Sequence, residues 1–245
     1  MKNIEEYLKR FPKVRSKLPP SYQKIYENEY KDNRNGIGFI GKLKLKLEDW
    51  MHIKIANLPK KNILEMGAGT LNHIKFEKNY SSYDIVEPMS FLYENSKFIN
   101  NINNIYSSSK EIPKDKIYNN IISTAVFEHI TDLPSELLRL TNRLNKDGIM
   151  QISIPTEGGF LWYLSWRFIT GTSFYLKYKL DYKILMKYEH VNNAQEIEAL
   201  IKFLFNNVKI IRFPFNLFHF SFYTYIEASD INYTSIKKLE QYLNE

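Results

Sequence analysis

The sequence of 245 residues contains no cysteine, which excludes disulfide bonds, thiolate nucleophiles and cysteine-ligated zinc or iron–sulfur centres. Any chemistry must therefore come from histidine, carboxylate or hydroxyl side chains, or from a bound cofactor. Glycine and proline are scarce, with nine residues of each, so long flexible linkers are not expected. The composition predicts one globular domain over residues 1–245.

Long apolar runs are absent as well. The N-terminal segment has no apolar stretch of secretory length, and no later segment approaches the roughly 20 apolar residues of a membrane-spanning helix. These absences predict a cytoplasmic protein. The chain carries a net charge of +7, but its lysines are scattered and no arginine-rich stripe is present. A nucleic-acid partner is therefore not predicted.

Short apolar runs alternate with segments of helical spacing from residue 42 onward. The predicted strands are 62–66, 83–88, 118–124, 149–155, 208–213 and 218–228, and the predicted helices are 42–58, 71–78, 89–99, 133–148 and 193–207. This alternation is typical of an α/β protein with a doubly wound, mainly parallel sheet. No helix separates the last two strands, which predicts an antiparallel edge at the end of the chain.

Four segments follow from this interpretation. An N-terminal helical cap occupies residues 1–58, the sheet core occupies 59–156, and an aromatic insertion after the fifth strand occupies 157–192. Residues 193–245 supply a helix and the closing strands. Doubly wound sheets bind ligands at the carboxyl ends of their strands, so the site is expected at that edge.

A glycine turn, EMGAG, follows the first predicted strand and points to a cofactor. A dinucleotide site requires a third glycine at the sixth position counted from Gly67, where Asn72 stands. Glu65 would repel a pyrophosphate but attract the ammonium group of S-adenosylmethionine (SAM). Glu87, at the end of the next strand, can accept hydrogen bonds from both ribose hydroxyls. The pattern favours SAM, and Leu71 is predicted to begin a helix and pack onto the sheet.

The stretches ILEMGAGT, YDIVEP and YNNIISTAVFEHITDLPSELLRLTNRLNKDGIMQISIP together resemble the class I SAM-dependent methyltransferases. The resemblance implies a Rossmann-like, seven-stranded sheet with an antiparallel last strand, and SAM as the cofactor with S-adenosylhomocysteine (SAH) as its product. In the third-strand loop, serines replace an acidic residue that is common in the family. The implied cofactor-binding residues in this region are Glu65, Gly67, Ala68, Gly69, Glu87, Pro88, Ser108, Ser123 and Thr124.

A finer resemblance involves the long N-terminal segment and the stretch YEHVNNAQEIEAL. With the glycine turn, these parts resemble a subgroup associated with bacterial surface-polysaccharide biosynthesis. The finer resemblance implies a glycan or another small molecule as the methyl acceptor.

Two histidines are candidates for catalysis. A sugar hydroxyl must lose its proton when it accepts a methyl group, which calls for a general base. His129 follows the fourth strand and is either that base or a brace for its loop with Glu128. His190 precedes a predicted helix and is either the base or a lid contact. No pair of histidines has the spacing of metal ligands on one helix, so no metal is predicted.

Candidate substrate-binding residues lie in the cap and in the insertion. Tyr22, Tyr26 and Tyr30 recur at every fourth position, as packing residues or as a lid, and Arg34 is either a ligand of the SAM carboxylate or a surface cation. The insertion either closes the core, stacks on a sugar or a base, or lies on a membrane surface through residues 160–180. Its candidate substrate-binding residues are Glu157, Trp162 and Trp166.

The predicted function is SAM-dependent O-methylation of a sugar or a phosphoryl or phosphoramidate group of a surface polysaccharide, or of its nucleotide-activated precursor. An RNA or protein methyltransferase is the alternative within the enzymes. A noncatalytic binding or scaffold protein that retains the fold is the alternative outside them.

Overall fold

The computed structural model of the protein describes residues 4–23, 25–26 and 38–244, of which 38–46 are described by their backbone alone. Within these residues, seven strands form one sheet in the order β3-β2-β1-β4-β5-β7-β6. The strands are β1 (Asn62–Met66), β2 (Ser82–Val86), β3 (Asn104–Tyr106), β4 (Tyr118–Thr124), β5 (Leu144–Pro155), β6 (Phe205–Pro214) and β7 (Ser221–Ile231). The predicted α/β sheet is confirmed.

Eight α-helices are described in the same part of the chain. They are α1 (Ile4–Leu8), α2 (Gly38–Ile55), α3 (Leu133–Thr141), α4 (Phe160–Ser165), α5 (Gly171–Tyr178), α6 (Lys183–Glu189), α7 (Ala194–Leu204) and α8 (Tyr233–Asn244). A π-helical turn, Trp166–Thr170, joins α4 to α5. None of the described helices is long and apolar enough to cross a membrane.

The sheet reverses its winding between β1 and β4. β1 pairs in parallel with both strands, so that Met66 lies opposite Val86 on β2 and opposite Ser123 on β4. Crossovers to opposite sides from this point leave a crevice at the carboxyl ends of β1 and β4. β7 is antiparallel to both β5 and β6, as predicted, but it lies between them, and β6 forms the edge.

The two faces of the sheet are covered by two apolar clusters. Successive residues of a strand point to opposite faces, so Ile63 enters one cluster and Leu64 the other. The Leu64 face packs against α3, α7 and α8, and the Ile63 face packs against Ile55 at the end of α2. Both faces are therefore covered, which explains why β1, β2 and β4 each carry two adjacent apolar residues, at 63–64, 85–86 and 121–122.

The predicted helices after β1 and β2 are absent from the structure. Short 3₁₀ turns stand in their place, at Ile74–Phe76, Ser90–Leu92 and Ile99–Asn101. Leu71 has φ of +62°, and a left-handed residue interrupts a right-handed helix. The side chain of Leu71 is fully buried in the Ile63 cluster, so the predicted packing is confirmed although the predicted helix is wrong.

Element boundaries differ elsewhere for a common reason. The helix predicted over 133–148 ends at Thr141, because β5 already begins at Leu144, which pairs with Tyr118. The helix predicted over 193–207 ends at Leu204, where β6 begins. α8 was not predicted, yet Ile236 and Leu239 pack it into the Leu64 cluster. Tertiary pairing decides each of these boundaries over local propensity.

Three buried polar side chains and the half-buried His52 contact one another near the loop that follows the glycine turn. His52 Nδ1 lies 3.0 Å from His73 Nδ1, and His73 Nε2 lies 2.7 Å from Glu77 Oε1. The Lys60 ammonium lies 2.8 Å from the same carboxylate oxygen. Burial, together with the charges of His73 and Lys75, lowers the pKa of His52 to about 3. His52 is therefore neutral throughout the ordinary pH range.

This burial makes the stability of the fold depend on pH. Below pH ~6.5 the unfolded chain protonates His52 while the folded protein does not, so the free energy of unfolding falls by up to about 1.4 kcal/mol per pH unit down to pH ~3. Urea unfolding monitored by circular dichroism at several pH values measures the slope. We expect a shallower slope in His52→Gln and the wild-type slope in His219→Gln, whose side chain is exposed. Equal slopes in all three proteins would contradict the assignment.

Candidate active site

The glycine turn lies at the carboxyl end of β1, as the sequence predicts. Gly67 and Gly69 have φ of +71° and +54°, a region that side chains disfavour. The Gly67 N–H donates to the Val86 carbonyl at 2.8 Å, which ties the turn to β2. A Cβ atom on Gly67 would lie 2.4 Å from Val126 Cγ2. The absence of a side chain at Gly67 therefore allows the loop after β4 to pack closely against the turn.

Substitution of Gly67 tests this packing. We expect Gly67→Ala to lower the free energy of unfolding by about 1–3 kcal/mol, because it combines the positive φ with the clash. The double variant Gly67→Ala with Val126→Ala removes the two shortest contacts, with Cγ2 and Cγ1 of Val126, and keeps the strained φ. Gly67→Ala should therefore cost less free energy of unfolding in the Val126→Ala background than in the wild type. Urea unfolding of the double variant and of Val126→Ala measures this cost. An equal cost in both backgrounds would show that the clash is unimportant.

Glu87 holds the turn from the neighbouring strand end. Its side chain is buried, and its two carboxylate oxygens accept hydrogen bonds from the N–H groups of Gly69 at 2.8 Å and Met89 at 3.1 Å. Each carboxylate oxygen can accept a further hydrogen bond. Glu87 therefore both shapes the turn and presents acceptors for a diol at the same place.

Glu65 lies beneath the turn rather than in the open crevice. It is buried and accepts a hydrogen bond from the Tyr83 hydroxyl at 2.7 Å. Burial raises the pKa of Glu65, although the charge of His73 and the hydrogen bond from Tyr83 oppose this rise. An ammonium group above the turn could reach this carboxylate only through an intervening water or through rearrangement.

The end of β4 contributes hydroxyl groups to the same edge. Ser123 Oγ lies 3.4 Å from the Met66 carbonyl oxygen, and Thr124 Oγ1 is buried without a hydrogen-bond partner in the structure. A buried hydroxyl without a partner is costly, so a bound group at this position would stabilise it. Ser108 accepts a hydrogen bond from the Lys110 N–H, and Pro88 is exposed at the end of β2.

The groups that the sequence predicts for an adenosyl cofactor lie together at one edge of the sheet. The turn, the Glu87 carboxylate and the unpartnered Thr124 hydroxyl lie at the carboxyl ends of three adjacent strands.

Two further candidates, Tyr30 and Arg34, lie outside the residues that the structure describes.

His190 is the centre of a second cluster, beyond β4 and β5. Its Nδ1 lies 2.5 Å from Glu157 Oε2, and the Trp162 ring stacks on its imidazole with an interplanar angle of 10°. The rings of His129 and His190 lie 4.9 Å apart, edge to face. His129 Nδ1 lies 3.0 Å from the Glu189 carbonyl oxygen. The structure thus brings together four residues that the sequence suggested separately, from segments about 30 residues apart.

Charge shifts the protonation of this cluster. Burial opposes a charge on His190, but the hydrogen bond and charge of Glu157, with Glu128 and Glu189, outweigh it and raise the pKa of His190. Burial raises the pKa of Glu128 to about 7, against the opposing effect of His190. Glu128 Oε2 is buried and has no hydrogen-bond partner in the structure. Perturbed titratable groups that converge in this way are typical of functional sites.

Long-range hydrogen bonds hold the two histidine loops together, and sequence reasoning missed the residues that make them. The buried Asn192 donates to the carbonyls of Phe127 at 2.8 Å and Ile130 at 2.7 Å. Arg15 donates to the carbonyls of Tyr188 and His129. A cation and an amide that bind backbone carbonyls have no periodic signature, so only the fold reveals them.

Another ion pair anchors the N-terminal segment beside the site. Lys13 Nζ lies 2.5 Å from Glu196 Oε2 and donates to the Val191 carbonyl at 2.7 Å. Arg10 pairs with the other oxygen of Glu196 at 3.1 Å. The described part of the predicted cap therefore packs against α7 and the His190 loop.

The tyrosine stripe packs against the insertion. Tyr22 is buried, stacks on Phe174 and donates to the Asp181 carbonyl at 3.1 Å. The Tyr26 ring lies 5.5 Å from that of Tyr188. Trp166 contacts Tyr163 edge to face and Tyr182 at a tilt, all within the insertion. Among the aromatic candidates that the structure describes, Trp162 is the one whose ring stacks on His190.

The chain belongs to a family of methyltransferases. A family model described as a methyltransferase domain matches residues 33–202, well over half of the chain. This match confirms the predicted enzyme class. No curated protein sequence matches the chain significantly.

Solved methyltransferase structures share the fold. The plantazolicin methyltransferase BpumL, in complex with a monoazolic desmethylPZN analog and SAH, has a TM-score of 0.63 and 12% identity, covering 93% of this chain and 99% of its own. The N-methyltransferase NodS from Bradyrhizobium japonicum, in complex with SAH, has a TM-score of 0.55 and 10% identity, covering 86% and 99%. An S-adenosylmethionine-dependent methyltransferase from Clostridium acetobutylicum has a TM-score of 0.54 and 13% identity, covering 85% and 98%. The Rossmann-like methyltransferase fold is confirmed.

Proposed function

We propose that the protein transfers the methyl group of SAM to an oxygen atom of a small-molecule or glycan acceptor. The cofactor lies over the glycine turn, with its ribose hydroxyls on Glu87 and its methionyl part toward Ser123 and Thr124. The family match and the SAH found in neighbouring structures support SAM as the donor. The unpartnered Thr124 hydroxyl and the Glu87 carboxylate supply the polar groups that such a cofactor requires.

The His190–Glu157 pair is the observation that carries the choice of acceptor. Glu157 accepts a hydrogen bond from Nδ1 of His190, which leaves Nε2 as the ring atom that can take a proton. A hydroxyl acceptor needs such a base, whereas an already anionic oxygen does not. The cluster therefore favours a hydroxyl group over a phosphoryl group.

The step balances without a further reagent. A lone pair of the acceptor oxygen forms the O–CH₃ bond while the S–CH₃ bond breaks, and its electron pair returns to sulfur. The sulfonium becomes the neutral thioether SAH, and the acceptor proton passes to His190 Nε2. The protein contributes the alignment of oxygen, methyl carbon and sulfur, and the exclusion of water.

Trp162 supports a sugar as the acceptor. Its ring stacks on His190, and its buried Nε1 has no hydrogen-bond partner in the structure. An indole that borders a base and retains an unused N–H can contact a sugar ring and donate to one of its hydroxyls. We therefore propose a hydroxyl of a surface-polysaccharide sugar, or of its nucleotide-activated precursor, as the methylated group.

Two measurements test this function. Calorimetric titration with SAM and SAH should give a Kd in the micromolar range, and no binding at millimolar ligand would indicate a noncatalytic scaffold. Methyl transfer from radiolabelled SAM to a panel of nucleotide sugars, with RNA and a protein mixture in parallel, then identifies the acceptor class. Labelling of RNA or protein alone would overturn the sugar proposal and leave the methyltransferase in place.

We further propose that the insertion contacts an anionic membrane surface and so reaches a lipid-linked glycan. Phe168 and Leu176 have about two-thirds of their surface exposed, at 66% and 65%. Arg167 directly precedes Phe168, and Lys177 and Lys179 follow Leu176 within three positions. Exposed apolar groups interspersed with cations suit the boundary between acyl chains and anionic headgroups.

Vesicle sedimentation tests the membrane contact. The protein should sediment with phosphatidylglycerol vesicles and stay in solution with phosphatidylcholine vesicles. Phe168→Asp with Leu176→Asp should lower the bound fraction at least tenfold, since each side chain contributes roughly 1.5–3 kcal/mol when buried. Val14→Asp is the control, because Val14 is exposed outside the insertion. Equal sedimentation of all variants would refute the contact.

A further inference from the structure

Three side chains beyond β4 offer metal-ligating atoms to one another. One ligand atom from each of Glu128, His129 and His190 lies within 4.8 Å of the others. His129 Nε2 lies 3.8 Å from Glu128 Oε1. The residues come from two segments about 60 positions apart, so no local spacing in the sequence predicts their meeting.

The hydrogen bonds around the two imidazoles have the arrangement that metal-ligating histidines use. Such histidines engage one ring nitrogen with a carboxylate or a backbone carbonyl and direct the other nitrogen to the metal. His190 engages Nδ1 with Glu157, and His129 engages Nδ1 with the Glu189 carbonyl. In this arrangement Nε2 is the atom of each imidazole that would face a metal ion, and His129 Nε2 already lies beside the Glu128 carboxylate.

An unsatisfied carboxylate oxygen completes the set. The Glu128 side chain is 2% exposed, and its Oε2 has no hydrogen-bond partner in the structure. A buried carboxylate oxygen without a donor is costly and calls for a bound group. Two imidazole nitrogens and a carboxylate oxygen that converge on one point are all electron-pair donors to a metal ion. The missing group is therefore cationic.

We propose that Glu128, His129 and His190 bind a divalent transition-metal cation on the acceptor side of the active site. Two imidazoles with one carboxylate suit Zn²⁺, Fe²⁺, Co²⁺ or Mn²⁺, whereas Mg²⁺ and Ca²⁺ prefer all-oxygen sites. Three protein ligands leave coordination positions open for water or for an acceptor oxygen. A cation there would occupy Nε2 of His190, so a hydroxyl bound to the cation would release its proton to solvent in the metal-bound protein, and His190 would act as the base in the metal-free protein.

Titration with Co²⁺, followed by visible absorbance, tests the proposal in protein without an affinity tag. The chain has no cysteine, so no thiolate competes for the ion. The wild-type protein should bind one Co²⁺, displaced by Zn²⁺. His129→Ala, His190→Ala and Glu128→Gln should each weaken binding at least ~100-fold. His219→Ala, at an exposed histidine, should bind as the wild type does.

A conservative variant distinguishes loss of metal ligands from loss of the fold. Glu157→Gln keeps all three ligands and alters only the partner of His190, and should weaken Co²⁺ binding about 10-fold. Near-ultraviolet circular dichroism checks that each variant is folded. No Co²⁺ or Zn²⁺ binding by the wild type at millimolar metal, or equal binding by all folded variants, would overturn the proposal. The titration needs neither SAM nor acceptor, so its failure leaves the proposed methyl transfer and a histidine base standing.

Discussion

Glu87→Ala is expected to weaken SAH binding about 100-fold, or roughly 2.7 kcal/mol. The variant removes the proposed acceptors of the ribose hydroxyls and also frees the N–H groups of Gly69 and Met89, so that the turn loses its shape. Charge-assisted hydrogen bonds to a buried carboxylate are among the stronger polar interactions in proteins. Isothermal titration calorimetry with SAH measures the loss directly.

Two companion variants separate binding from folding. Glu87→Gln retains one carbonyl oxygen for a backbone donor and should lose about 10-fold in affinity with little loss of stability. Glu94→Ala removes an exposed carboxylate in the same loop and should leave affinity unchanged. Wild-type affinity in Glu87→Ala would place the cofactor elsewhere, because no ligand over this turn could avoid the carboxylate.

His190→Ala is expected to lower kcat for methyl transfer by roughly 10²–10⁴, the range typical for loss of a general base. His190 contacts the other residues of the acceptor cluster through Glu157, Trp162 and the neighbouring His129. SAH lies over the glycine turn in our proposal, so its affinity should change less than twofold. Steady-state kinetics with an identified acceptor, together with SAH calorimetry, give both values.

A graded variant distinguishes a chemical role of His190 from a packing role. Glu157→Gln keeps the shape of the site and weakens only the support of the imidazole, so we expect kcat to fall about 10-fold with KM for SAM unchanged. His219→Ala should keep full turnover. A loss of SAH affinity equal to the loss of kcat in His190→Ala would identify His190 as a structural residue instead.

The sequence predicted the sheet well because its inner strands are buried on both faces. β1, β2 and β4 each have an apolar pair at their centre or end, between polar segments, and a short stretch of this kind favours a buried strand. The glycine turn and Glu87 were predictable for a related reason. Each follows a strand directly, and parallel strands bring their carboxyl ends to one edge whatever the loops do.

The connections after β1 and β2 were not predictable by the same rules. Residues 71–78 have acceptable helix formers, but Leu71 adopts a left-handed conformation that a leucine rarely takes. The burial of its side chain in the Ile63 cluster accompanies this conformation. Burial of this kind depends on distant residues such as Ile55 and Tyr225, which local periodicity cannot register.

The histidine cluster shows most clearly which contacts cannot be predicted from the sequence. His129 and His190 were both candidates, but each had an equally reasonable structural interpretation in isolation. Their edge-to-face contact, the Glu157 hydrogen bond and the Asn192 bridge to Phe127 arise only when the loops after β4 and β5 meet. Contacts between segments that are distant in the chain require the three-dimensional fold.

The position of β7 between β5 and β6 has a consequence for synthesis of the chain. β6 pairs only with β7 in the described sheet, and β5 has β7 as its outer neighbour. Until Ile231 has left the ribosome, β5 therefore presents an unpaired edge and β6 has no strand to join. A nascent or truncated chain that ends before Ser221 would carry two open strands, a form prone to intermolecular pairing. β7 therefore covers the open edge of β5 and joins β6 to the sheet. A chaperone that shields strand edges would act during the synthesis of residues 155–231.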